Sequence, residues 1–209
     1  MELTSKQKPN NQGFALLISL IVVGVVISVG LSILDLSITQ VRLSDNAKQS
    51  ELAFQAASAG VECGRYWRRV ESERMLNGVI LRAPSEDQVS CFGVDLYDDP
   101  DNGTMVIRTL DGAGETSGDG VAHFYQYSFD WSGSESRCSN ITTIVMDADV
   151  GPSNLTVNNM QNYIAGFPTQ TGACPGGSQC TILSVKGYNK GCADIDSFGT
   201  TEREVLIQF

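Results

Sequence analysis

The chain has 209 residues, of which 42% are hydrophobic and 18% charged, and its net charge is −10. That is the composition of a folded globular protein, and it excludes wholesale disorder. With 24 Asp and Glu against 14 Lys and Arg, it also argues against a broad phosphate-binding surface and so against a nucleic-acid-binding role.

The first segment, Met1–Gly13, is polar and carries Lys6 and Lys8. From Phe14 to Leu34 the chain runs about 21 residues without a charge, which as a helix is roughly 31 Å, enough to cross a hydrocarbon core. The first charge after this run is Asp35. With lysines before the span and an acid after it, Met1 is expected in the cytoplasm and everything beyond Asp35 outside, in a single pass of the inner (cytoplasmic) membrane. A secretory signal has a shorter apolar core and a small-x-small cleavage site, and neither is present here.

The junction itself is distinctive. Gln12-Gly13-Phe14-Ala15-Leu16-Leu17-Ile18 sets an abrupt apolar start directly after a glycine. It resembles the class III leader of type IV prepilins and pseudopilins. The resemblance implies cleavage after Gly13 by a prepilin peptidase and N-methylation of the new terminus, Phe14. It further implies that the apolar helix packs with other pilin-like subunits after leaving an inner-membrane assembly platform. Major pilins carry a glutamate at the fifth mature position, and here that position is Ile18. Its absence is shared by PilX-type minor pilins and GspK-like pseudopilins, which are assigned to the filament tip. The stretch Glu51-Leu52-Ala53-Phe54-Gln55-Ala56-Ala57-Ser58-Ala59-Gly60 resembles the PilX-type segment that follows the span. Adhesion, motility, protein secretion and DNA uptake are all served by such filaments, and a membrane-tethered adhesin that never polymerises is the alternative reading.

Beyond Asp35 the helical pattern turns amphipathic. Leu52, Ala56, Ala59, Cys63, Trp67 and Val70 fall on one face, and Ala53, Ala57 and Gly60 form a strip of small residues open to another backbone. Asn77-Gly78 reads as the stop, so one helix is expected from Phe14 to about Leu76, on the order of 95 Å if unbroken, with Gly24 and Gly30 as weak points where it could bend. Domain limits follow: leader 1–13, span 14–34, amphipathic helix 35–76 and head 77–209.

After Asn77 short alternating runs predominate. Val121, His123, Tyr125, Tyr127, Phe129 and Trp131 alternate in the clearest strand, and strands are also expected over Thr104–Leu110, Ile141–Met146, Thr181–Val185 and Arg203–Phe209. In the last of these Val205, Ile207 and Phe209 should point one way. The expected class is α+β, with a long N-terminal helix packed by its Leu52–Val70 face on an antiparallel sheet.

The six cysteines contain no CxxC pair and the chain has one histidine, so disulfides in an oxidising compartment are favoured over zinc. Cys174 and Cys180 flank a short Pro-Gly-Gly loop and invite a local bridge. Cys63, on the inward helix face, has Cys91 as its nearest candidate, which leaves Cys138 for Cys192. No cofactor is required. The single ion the residues would suit is calcium, at Asp95, Asp98, Asp99 and Asp101, although Pro100 interrupts the loop and the order departs from a D-x-D-x-D-G site. A solvated turn is the simpler reading. No nucleophile elbow, zinc-protease motif or phosphate loop occurs, and the lone His123 lies in an aromatic strand, so no enzymatic activity is expected.

Overall fold

The computed structural model describes residues 12–78, 90–91, 94–95, 106–131, 136–149 and 151–209. In chain order the elements are α1 (Gln12–Val70), α2 (Ser72–Leu76), β1 (Ser90–Cys91), β2 (Val94–Asp95), β3 (Val106–Thr109), β4 (Thr116–Ser117), β5 (Val121–Asp130), β6 (Cys138–Asp147), β7 (Leu155–Asn158), β8 (Thr171–Cys174), β9 (Gln179–Tyr188) and β10 (Glu202–Gln208). The chain divides into two compact units between Ala47 and Lys48, inside α1.

The first unit contains the N-terminal part of α1. Its apolar stretch has a mean hydropathy of 2.9, and the helix is long and apolar enough to span a membrane. From Phe14 to Leu43 its large apolar side chains are all exposed. Gly24 and Gly30, expected as weak points, lie within continuous helix.

The second unit is α+β: the remainder of α1 packs against an antiparallel sheet. Five strands stand in the order β10-β9-β6-β5-β3, each antiparallel to its neighbours. The central strand β6 is buried on both faces. Ile141 and Val145 of β6, Leu183 and Val185 of β9, and Tyr125, Tyr127 and Phe129 of β5 form one core with Val61, Cys63 and Trp67 of α1. The alternate residues Ile144, Met146, Ile182 and Ala122 form a second core on the opposite face. Period-two alternation along each strand therefore feeds two cores.

The second core is closed by a feature the sequence reading did not contain. A three-stranded sheet, β4-β7-β8, brings Leu155, Val157 and Cys174 against it, and Met160, Ile164 and Phe167 join from the connection between β7 and β8. The head thus has three layers where a helix on a single sheet was expected.

Two expectations about the helix are corrected. The buried row of α1 is Ala53, Ala56, Ala57, Gly60, Val61, Cys63, Gly64 and Trp67, with Leu52 and Ala59 half-buried and Val70 43% exposed. The face is centred on the small residues because the sheet approaches the helix backbone. A Cβ on Gly187 of β9 would strike the carbonyl oxygen of Ala53 and the amide of Ala57, and one on Gly60 would strike Val185. Larger residues at the centre would hold the two layers apart. The helix is also broken: α1 ends at Val70, Glu71 is a turn, and α2 follows. Gly78 ends α2 with φ +65°, a left-handed conformation that glycine adopts without penalty. It also lies so close to the His123 ring that any side chain there would collide.

Candidate functional site

The cleavage junction inferred from the sequence lies in the first turn of α1, which begins at Gln12. Phe14 is 71% exposed and Ile18 45%. The helix carries hydroxyl residues through its apolar stretch, and their donors are satisfied within the helix. Ser19 donates to the Leu16 carbonyl at 2.8 Å, Ser28 to Val25 at 2.9 Å, Ser32 to Ser28 at 2.9 Å and Ser37 to Ile33 at 2.9 Å. A hydroxyl bonded back to its own helix can enter an apolar phase without leaving its donor unmatched. The surface is therefore suited to lipid or to other apolar helices, with no ionisable group between Phe14 and Leu34 to limit either.

In the head, three disulfides join Cys63 to Cys91, Cys138 to Cys192 and Cys174 to Cys180, with Cα separations of 5.8, 4.7 and 5.7 Å. The first ties α1 to β1. The second ties the start of β6 to the loop between β9 and β10. That loop is further fixed by the Cys192 amide donating to Asp130 Oδ1 at 2.6 Å and by Lys190 Nζ donating to Ser197 Oγ at 2.7 Å. It holds Phe198 fully exposed at its tip. Beside it is a cleft of about 540 Å³ lined by Lys48, Gln49, Ser136 and Lys190 among others.

Of the acidic residues proposed for calcium, Asp95 lies in β2, and Asp98, Asp99 and Asp101 lie outside the described residues. Among the described residues the one cluster of metal-type ligands is Asp130, Cys138 and Cys192. Its two sulfurs are joined to each other and Asp130 holds the Cys192 amide, so the cluster is engaged in structure.

Several buried polar groups fasten the helix to the sheet. Ser139 Oγ donates to the Ala56 carbonyl at 2.8 Å, and Tyr125 Oη to the Met75 carbonyl at 2.9 Å. His123 Nδ1 lies 3.2 Å from Thr109 Oγ1. Burial pulls the His123 pKa below its ordinary value, countered in part by a backbone hydrogen bond with Leu76 and by Asp147. This is the environment of a structural histidine seated under the C-terminus of α2. Burial likewise raises the pKa of Tyr125, which remains a phenol.

One group escaped the sequence reading. Arg65, Arg68 and Arg69 stand within one and a half turns of α1, in an otherwise acidic chain. Arg68 is only 9% exposed. Its Nε donates to Thr181 Oγ1 and its Nη1 to Ser72 Oγ, both at 2.8 Å. Burial lowers its pKa, offset by Tyr125 and Asp147. The signal was present in the sequence: Arg68 follows Trp67 on the face that turns inward.

No protein-family model, curated protein or solved structure matches the chain. Its function therefore rests on its own residues and geometry.

Proposed function

We propose that the chain is a minor pilin or pseudopilin, a subunit of a type IV pilus or type II secretion-like filament that sits at the tip or initiates assembly. A prepilin peptidase removes Met1–Gly13, Phe14 becomes the methylated terminus, and the apolar helix passes from the inner membrane into a bundle of related helices. The head then stands outside the cell. No catalytic step is assigned to it.

The observation that carries this reading is the character of α1. One helix is uncharged and exposed on all sides from Phe14 to Leu34, and its C-terminal part packs by one face into a disulfide-tied head. Moving such a surface from lipid onto sister helices exchanges one apolar phase for another. The hydrophobic term nearly cancels, and association is governed by side-chain packing. With Ile18 in place of a carboxylate, the segment brings no buried charge that would need a partner in the subunit above. A position with no subunit above suits it.

The test is the mass of the chain purified from membranes that contain a prepilin peptidase. The expected product begins at methylated Phe14, and Gly13→Ala abolishes it. An intact Met1 terminus in the wild-type chain would refute the proposal.

A further inference from the structure

β10 is an edge of the five-stranded sheet, pairing only with β9 among the described residues. The phase of its hydrogen bonds is fixed at one end. Thr181 N–H donates to the Phe209 carbonyl at 2.7 Å, and Phe209 N–H to the Thr181 carbonyl at 3.0 Å. In an antiparallel pair such exchanges recur at every second residue. Ile207, Val205 and Arg203 therefore also bond inward to Leu183, Val185 and Gly187. Glu202, Glu204, Leu206 and Gln208 turn their N–H and C=O groups outward. Edge strands are commonly blunted by charge. Here Glu202, Arg203 and Glu204 blunt one half, and Val205–Phe209 carries no charge.

Both faces of that uncharged half open into clefts. On the helix side is a cleft of about 460 Å³ lined by Arg65, Arg68, Arg69, Ser72, Ile207 and Phe209. On the other side is one of about 340 Å³ whose lining includes Phe167, Thr171, Ile182 and Gln208. The first is lined by three arginines, of which Arg65 pairs with Glu62 at 3.8 Å. Arg68, more than nine-tenths buried, is held by two neutral hydroxyls, and Arg69 has no ion-pair partner among the described residues. Asp147 already acts on Arg68 from within the fold, whereas Arg69 is exposed, so Arg69 is the cation open to an incoming carboxylate. Phe209, between the clefts, is 54% exposed.

We infer that the free edge of β10 and its two flanking clefts form a docking site for an extended peptide segment of a partner protein, with an acidic side chain directed at Arg69. The main chain of that segment adds a sixth strand through Leu206 and Gln208. Because side chains alternate across a strand, its acidic residue enters the arginine cleft and its neighbours face the second cleft. The charge complementarity favours this occupant over a second copy of the chain: a β10 strand laid in the same groove would bring Glu202 and Glu204 only at its far end. The inference does not rest on the filament reading and applies equally to a tethered head.

The experiment selects a random heptapeptide phage library on the full chain in detergent micelles. The expected result is enrichment of heptapeptides with Asp or Glu flanked at alternate positions by apolar or β-branched residues. A synthetic copy of an enriched peptide should bind at least tenfold more weakly to Arg69→Glu, and at least tenfold more weakly when its own backbone is N-methylated. Arg69 is exposed, so the variant keeps its fold. Gln208→Pro removes an outward N–H while leaving the pairing with β9 intact, and should likewise abolish binding. Amide hydrogen exchange at Leu206 and Gln208 should slow when the peptide is added. Failure to enrich any sequence, enrichment without a carboxylate, or equal binding to Arg69→Glu would overturn the inference. So would a single-stranded DNA 20-mer that binds through Arg69 while no peptide does.

Discussion

The two parts of α1 use the same residue types to opposite ends. Gly24 and Gly30 stand in open space, with no atom near enough to meet an added side chain, and the valines and leucines around them are exposed. In the head, glycine marks close approach: Gly187 of β9 lies against the backbone of Ala53 and Ala57, and Gly60 and Gly64 lie against Val185 and Leu183. The head buries two clusters of apolar residues within itself, and the N-terminal helix exposes all of its own. Exposed to water, each large aliphatic side chain forgoes about 1.5–3 kcal/mol. The N-terminal helix is therefore suited to an apolar phase, whereas the head has cores of its own.

Substitutions at the two kinds of glycine should separate the regions most sharply. Gly187→Val forces a side chain into the Ala53–Ala57 backbone and should destabilise the head by roughly 3 kcal/mol or more. Gly24→Val should leave the unfolding midpoint of the head within about 0.5 kcal/mol. Urea denaturation in micelles, followed by tryptophan fluorescence, reads both, because Trp67 and Trp131 both lie in the head. Next in size is the disulfide that anchors the loop between β9 and β10. The double substitution Cys138→Ala with Cys192→Ala should cost about 2–4 kcal/mol and free the Phe198 loop, seen as faster amide exchange across Asn189–Thr201. The N-terminal helix should not respond.

The smallest effect concerns His123. Its folded pKa lies below the ordinary value of 6.5, so the unfolded chain binds a proton more readily than the native one. The stability this residue contributes is complete above the unfolded value and declines as pH falls below it toward the lower folded value. The difference in unfolding free energy between wild type and His123→Gln should therefore narrow from pH 7.5 to pH 5.5. A difference that stays constant would mean that the ring does not titrate with folding.

Much of the head was legible in the sequence. The alternation in β5 and the patterns of β9 and β10 marked strands by period, and Asn77-Gly78 marked the helix stop by chemistry. The loop joining Cys174 to Cys180 was short enough to suggest its own bridge. The second sheet was not legible. Leu155–Asn158 and Thr171–Cys174 are four-residue strands with a single alternation each, too short for periodicity to stand out from a turn-rich loop. The strip of Ala53, Ala57 and Gly60 was legible as open to another backbone, and the sheet comes closest there; the inward face was nevertheless centred on Leu52–Val70, one strip too far round the helix. The break at Glu71 has no glycine or proline to announce it. The arginine cleft was hidden by the overall acidity of the chain, which conceals a local cluster of three cations.

The central claim is that the exposed face of the N-terminal helix is covered by other subunits. A photo-crosslinking amino acid at Val26, activated in cells that assemble filaments, tests it most directly. The account predicts crosslinked species containing a second pilin-like chain, formed only when Gly13 is intact and the assembly machinery is active. Label recovered solely on lipid, with or without that machinery, would contradict it.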